Sequence, residues 1–167
     1  MGMFSFIKEA GEKLFGRGEA KAAQEAAAAA PTPENVAALS KTAGAAIATY
    51  INSMGLKVEN LQVSFDAPSG VVTVGGLAPD QVTKEKVVLC CGNVASVTSV
   101  NDLMTVSDSS AESQMYEVQS GDNLSKISNE FYGTPNKYTA IFEANKPMLS
   151  SPDKIYPGQI LRIPAEA

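Results

Sequence analysis

The 167-residue chain contains no histidine and no tryptophan, has only two cysteines, and shows no excess of positive charge: 13 Lys and Arg stand against 18 Asp and Glu, a formal net charge of −5. Without histidine there is no imidazole to serve as general base, to activate a serine or cysteine nucleophile, or to ligate a metal. No segment is basic, and a nucleic-acid binder draws most of its affinity from Lys and Arg that neutralise phosphates, so no nucleic-acid partner is expected. No apolar run approaches the roughly 18 residues that cross a bilayer, so no stable membrane insertion is expected. The start, MGMFSFIKEAGEKLF, does not open on basic residues followed by the apolar run of about 7–15 residues that makes a secretory leader. Phe6 stands where a myristoylation motif asks for Ser or Thr. These features predict a soluble cytoplasmic protein, monomeric by default.

The cysteines are the neighbours Cys90 and Cys91, beside Val87, Val88 and Leu89. Adjacent helical side chains diverge by about 100°, so the pair reads as core packing rather than a bridge. Asp66, Asp80, Asp102, Asp108 and Asp153 show neither the pairing of catalytic carboxylates nor metal-ligand spacing. Gly75-Gly76 lacks the further glycines and the lysine of a phosphate loop. No enzyme is expected.

Hydrophobic periodicity divides the chain. Phe4, Ile7, Leu14 and Phe15 share a face over residues 3–15 and predict a short amphipathic helix within an N-terminal arm, 1–18. An alanine-rich spacer follows at 19–31. Thr32-Pro33-Glu34 offers an N-cap, a proline at N1 and an early acid for a helix running to about Ser53. That helix would bury Val36, Leu39, Ala43, Ile47, Tyr50 and Ile51. After Gly55 the period becomes two, predicting a hairpin of Leu61–Phe65 and the VVTV segment around a turn at 67–70. A helix follows from Pro79-Asp80 to Cys91, with Gly92-Asn93 to supply a left-handed stop. One strand is expected within Val97–Val106, and 32–107 is then an α-β-β-α-β sandwich. The polar stretch 108–114 reads as a linker that permits either a docked or a swinging arrangement. Residues 115–165 read as a β-α-α-β unit with a core of Tyr116, Val118, Leu124, Ile127, Phe131, Tyr132, Tyr138, Ile141, Phe142, Ile155, Ile160, Leu161 and Ile163. The fold class is α+β, two small domains behind an arm.

The C-terminal block YEVQSGDNLSKIS, YGTPNKYTAIFEANKPML and IYPGQILRIP closely resembles the LysM domain, and NLQVSFDAPSGVVTVGG followed by a helix and GNVASVTSVNDLMTV resembles the BON domain. Their order behind MGMFSFIKEAGEKLF, with the phrases KEKVVLCCGNVASVTSVND and FEANKPMLSSPDKIYPGQILRIP, is similar to the family of cytoplasmic bacterial potassium-binding proteins built from the two domains. The alanine-rich stretch is a departure from that family and changes the spacing of the arm. The resemblance implies a protein that binds or senses K⁺ and changes conformation with it. K⁺ sites are built from oxygens, often backbone carbonyls, and helix C-termini leave four C=O groups without intrahelical partners. Glycine-marked helix ends at Gly11 and Gly92, both within segments that match the family, lead us to expect the carbonyls of Ile7, Ala10 and Glu12 to meet those of Gly92, Val94 and Val97 around one ion. The LysM resemblance implies an alternative, binding of N-acetylglucosamine-containing glycans such as peptidoglycan through Gly121, Asp122, Asn123 and Leu124 on one side and Asn145, Pro147 and Met148 on the other. A further alternative is a BON–LysM adaptor at the cell envelope.

Overall fold

A computed structural model describes residues 2–5, 25–26, 28–94 and 97–165. Helix α1 (Pro33–Ser53) starts where expected: Thr32 Oγ1 accepts the Asn35 N–H at 3.3 Å, Pro33 occupies N1, and Glu34 complements the positive end of the helix dipole. Its buried face is Ala43, Gly44, Ile47 and Ile51, while Val36, Leu39 and Tyr50 are half-buried. A Cβ on Gly44 would come within 3.1 Å of the Val63 carbonyl oxygen, so the helix backbone rides directly on the strand beneath it.

That strand, β2 (Glu59–Asp66), and β3 (Val71–Asp80) form the expected antiparallel hairpin, with Phe65 opposite Val72 and Val63 opposite Val74. Phe65, Val72 and Val74 are buried under the helices, and the alternate Gln62 and Ser64 are exposed, as a two-residue period requires. Helix α2 (Gln81–Gly92) follows, capped by Asp80, whose Oδ1 accepts the Thr83 N–H at 2.7 Å. This bond, outweighing a small burial cost, holds the Asp80 carboxyl below the usual carboxylate range.

The single strand expected within 97–106 is two strands, β4 (Ser99–Asp102) and β5 (Thr105–Asp108), both parallel to β3. Asp102 causes the break: its buried side chain folds back to accept the Met104 N–H at 2.9 Å, while the Leu103 N–H turns to the Val74 carbonyl at 2.8 Å. β3 serves both, pairing residues 71–74 with β4 and 77–80 with β5 on either side of Gly75-Gly76.

The N-terminal residues also depart from expectation. Gly2–Ser5 is strand β1, antiparallel to β4, and the sheet order is β1-β4-β3-β2. The helix predicted from residue 3 therefore does not include residues 3–5; pairing with a distant strand has overridden a short local period. The rest of that segment, with Ile7, Ala10 and Glu12, lies outside the described residues, as does most of the alanine-rich stretch.

The second unit is β6 (Gln114–Glu117), α3 (Leu124–Tyr132), a 3₁₀ turn (Pro135–Lys137), α4 (Tyr138–Ala144) and β7 (Ile160–Ile163), with β6 and β7 antiparallel. Asn123 caps α3 through the Lys126 N–H at 2.8 Å, and Gly133, at φ 69°, ends it in the left-handed conformation. Its core holds Val118, Leu124, Ile127, Ile141, Leu149, Leu161 and Ile163, flanked by Tyr116, Phe131, Tyr132, Phe142 and Ile155. Two expected members lie elsewhere: Tyr138 is exposed, and Ile160 packs in the core of the first unit. Strand alternation explains Ile160. Leu161 and Ile163 face their own helices, so Ile160 and Arg162 must face the other way, toward α2, and Met115, opposite Arg162 in the ladder, joins them.

Candidate functional site

Helix α2 is the axis on which both units meet. Residues Val87 to Cys91 are all buried, and burial, reinforced by Cys90 and Asp102, pushes the Cys91 thiol well up. The cysteines are not bridged, and a protonated, buried thiol is chemically quiet. At the C-terminal end the expected left-handed stop is not used: Asn93 has φ −84° and continues the helical bonding, its N–H reaching Leu89 O. The Asn93 side chain has other work. Its Nδ2 donates to Ile160 O at 3.0 Å and its Oδ1 accepts the Ile160 N–H at 3.1 Å, so it pairs with β7 as a neighbouring strand residue would.

Of the predicted ion ligands, Gly92, Val94 and Val97 are buried together at this end of α2. The Val94 carbonyl accepts the Val97 N–H at 3.2 Å, which leaves that oxygen a second lone pair. β1 runs toward the same place. Gly2 lies opposite Asp102 and Ser5 opposite Ser99, so the chain reaches Ser5 at the end of β4 that the 92–97 connection enters. Among the described residues, no group of three or more His, Cys, Asp or Glu side chains converges on a metal position.

Two turns before Asn93 on the same helix, Glu85 holds the other half of the seam. Glu85 is 4% exposed and Arg162 is 5% exposed, and Arg162 Nε meets Glu85 Oε2 at 2.6 Å. Glu85 Oε1 also accepts the Ser113 N–H at 2.8 Å and Gln81 Nε2 at 3.2 Å. Arg162 Nη1 donates to Ala144 O at 3.1 Å and Nη2 to Ser113 Oγ at 2.9 Å. Burial alone would raise the Glu85 carboxyl; the Ser113 N–H, Arg162 and Gln81 outweigh it and hold the carboxyl below its ordinary range. Ser113 belongs to the polar stretch expected to be a linker, so that stretch is tied into the seam. Neither Glu85 nor Arg162 is recognisable from sequence as a buried residue; the one available signal is a lone arginine inside the apolar strand ILRI.

The residues expected around a glycan do not form one surface. Asn123 and Leu124 line an open groove of about 440 Å³ together with Ser125, Tyr138, Pro152 and Asp153. Gly121 and Asp122 shape the adjoining turn: Gly121 has φ 87° and its carbonyl accepts Lys126 Nζ at 2.8 Å. Asp122 Oδ2 accepts the Gln119 N–H at 2.8 Å and the Tyr116 hydroxyl at 2.6 Å, and that bond, with some burial, pushes the Tyr116 phenol up to about 12. Asn145 is buried on the other side of β7, where its amide joins Ile141 O, Arg162 O and the Arg162 N–H. Met148 packs against the core of the first unit, and Pro147 is exposed. Sequence reasoning missed Ser125, Tyr138, Pro152 and Asp153: the helical spacing assigned Tyr138 to the core, and no local pattern brings it beside Pro152 and Asp153.

The LysM domain model matches residues 116–164 and the BON domain model matches residues 40–108. A curated protein of Escherichia coli O6:H1 named "Potassium binding protein Kbp" is 39% identical over 174 aligned residues, covering 99% of this chain and 100% of the relative. An uncharacterised protein of Deinococcus radiodurans is 48% identical over 50 residues, 30% of this chain and 19% of that protein. Likeness of that extent to the first relative, with both domains in order, means that the chain belongs to the Kbp family of BON–LysM proteins.

Proposed function

We propose that the chain is a selective K⁺-binding and K⁺-sensing protein of the cytoplasm, a monomer without enzymatic activity whose conformation is linked to the ion. The observation that carries this reading is its end-to-end likeness to a relative named for potassium binding. The proposed ligands are the carbonyls of Ile7, Ala10 and Glu12 from the arm and of Gly92, Val94 and Val97 from the end of α2. The negative end of the α2 dipole and the direction of β1 toward the 92–97 connection support that choice. A large, weakly hydrated cation suits such carbonyl donors better than a small divalent ion, which favours carboxylates.

The test is to titrate K⁺, Na⁺, Ca²⁺ and Mg²⁺ into alkali-metal-free protein and follow heat and the unfolding midpoint. Ligand at about 100 times its Kd stabilises the folded state by about 2.7 kcal/mol, so a saturable rise is expected with K⁺ and little with Na⁺. No response to any cation rejects the reading. Removing residues 1–13 is expected to abolish the K⁺ response, and unchanged affinity would clear the arm of any role as ligand.

The groove at Asn123, Leu124, Ser125 and Tyr138 favours a second reading, glycan binding by the LysM domain in an adaptor role at the cell envelope. An exposed aromatic beside amide and carboxylate groups suits the face of a sugar ring. Co-sedimentation with purified peptidoglycan at cellular salt, lost in Tyr138→Ala and Asn123→Ala, is the result this reading requires; equal sedimentation of all three proteins refutes it.

A further inference from the structure

Asn93 stands in the chain between Gly92 and Val94, two of the proposed carbonyl ligands, and its side chain is held by a residue of the other domain. The bonds at 3.0 and 3.1 Å to Ile160 O and N–H fix both ends of the amide, so the rotation of the 92–94 backbone about Asn93 is set from β7. β7 itself has little freedom. Ile160 is buried in the BON core, and two residues on Arg162 is locked to Glu85 of the same helix. Every buried side-chain nitrogen and oxygen among the described residues is satisfied, so opening the seam would leave buried polar groups to be paired anew.

From this geometry we infer that Asn93 is a positioning residue for the ion, through which the docked LysM domain sets the Gly92 and Val94 carbonyls. The inference rests on the K⁺ reading above and adds to it the route by which the second domain bears on the site. A carbonyl cage discriminates between ions by the number and placement of its dipoles, so a loop released from β7 binds K⁺ more weakly and with less preference over Na⁺. Coupling is reciprocal: if docking favours the ion, the ion favours docking by the same factor.

The experiment compares K⁺ and Na⁺ titrations of the full chain, Asn93→Ala and Thr32→Ala, the last removing a helix cap far from the seam as a control for general loss of stability. In parallel, hydrogen exchange of the wild-type Ile160 and Ile127 amides is measured with and without K⁺. Asn93→Ala is expected to weaken K⁺ binding about tenfold and to narrow the K⁺ to Na⁺ ratio, with Thr32→Ala unchanged. In the wild type, saturating K⁺ is expected to slow exchange at Ile160 about tenfold and more than at Ile127, a readout that needs no variant to fold. A wild-type chain that ignores K⁺ removes the K⁺ reading itself. A wild-type chain that binds K⁺, with Asn93→Ala binding as tightly and as selectively or with Ile160 exchange indifferent to the ion, overturns this inference alone.

Discussion

Arg162→Met is expected to lower the unfolding free energy by about 3–5 kcal/mol, because it strands a buried carboxylate rather than merely deleting a contact. Glu85 would keep the Ser113 N–H and the Gln81 amide but lose the cation opposite it, at 4% exposure. The pair as a whole contributes far less than this, since both charges were taken out of water to make it. Glu85→Gln with Arg162→Met is therefore expected to recover most of the loss, and urea denaturation of the two singles and the double separates these terms. Acidity adds a signature. The folded-state pKa of Glu85 is lowered, so the pair's contribution is whole above the ordinary carboxylate value of 4.5 and is lost as pH falls toward the lower folded value. Below that window Glu85 is neutral in both proteins. The stability gap between wild type and Arg162→Met should therefore shrink as pH drops from 7 to 3; a gap constant with pH would mean that the arginine acts through packing rather than charge.

Gly76→Ala is expected to cost about 2–4 kcal/mol, an unusual sum for one methyl group in a strand. Gly76 has φ 136°, a backbone conformation closed to side chains, and an added Cβ would sit 2.8 Å from Glu59 O and 2.6 Å from Val58 Cγ1. The methyl of valine could rotate away, but the backbone oxygen cannot. This is where β3 passes from pairing with β4 to pairing with β5, and where the register to β2 shifts, so relief by backbone movement would disturb three strands. Gly75→Ala is the internal control. Nothing lies within 4 Å of its added Cβ, and a cost under about 1 kcal/mol is expected. Equal denaturation midpoints for the two variants would mean that strain at position 76 is not what the strand switch depends on.

Most of the fold was legible because local rules and tertiary packing agree over long stretches. Thr32 caps α1, a two-residue period marks β2 and β3, Asp80 opens α2, and the apolar positions of the second unit reach its core with two exceptions. What sequence reasoning missed depends on partners far away in the chain. Four residues at 2–5 carry no strand signal strong enough to outweigh a helical spacing; only β4, nearly a hundred residues on, makes them a strand. Asp102 reads as a surface acid until its bond to the Met104 N–H splits the expected strand. Arg162 and Glu85 lie 77 positions apart, Asn93 and Ile160 lie 67 apart, and no local pattern pairs them. The candidate site divides the same way. The expectation at the end of α2 came from Gly92 and the chemistry of helix termini, whereas the bridge from Asn93 to β7 could be seen only once the two units were side by side, and that from Asn145 only once α4 lay beside β7 within the second unit.

The placement of β1 has a kinetic consequence. Residues 2–5 find their strand partner only after residues 99–102 have been made, and β4 must itself be aligned on β3 before its outer edge is available. Contacts of such sequence separation form late, since their loop entropy has to be met before any bond repays it. The hairpin of β2 and β3 can form early from its own turn, whereas β1 joins a sheet already assembled. An edge strand added last to a finished sheet is also the one that can leave first without unfolding the rest. The amide protons of Met3 to Ser5 are therefore expected to exchange by opening events far cheaper than those that expose β3, so this edge can come and go on a timescale of its own.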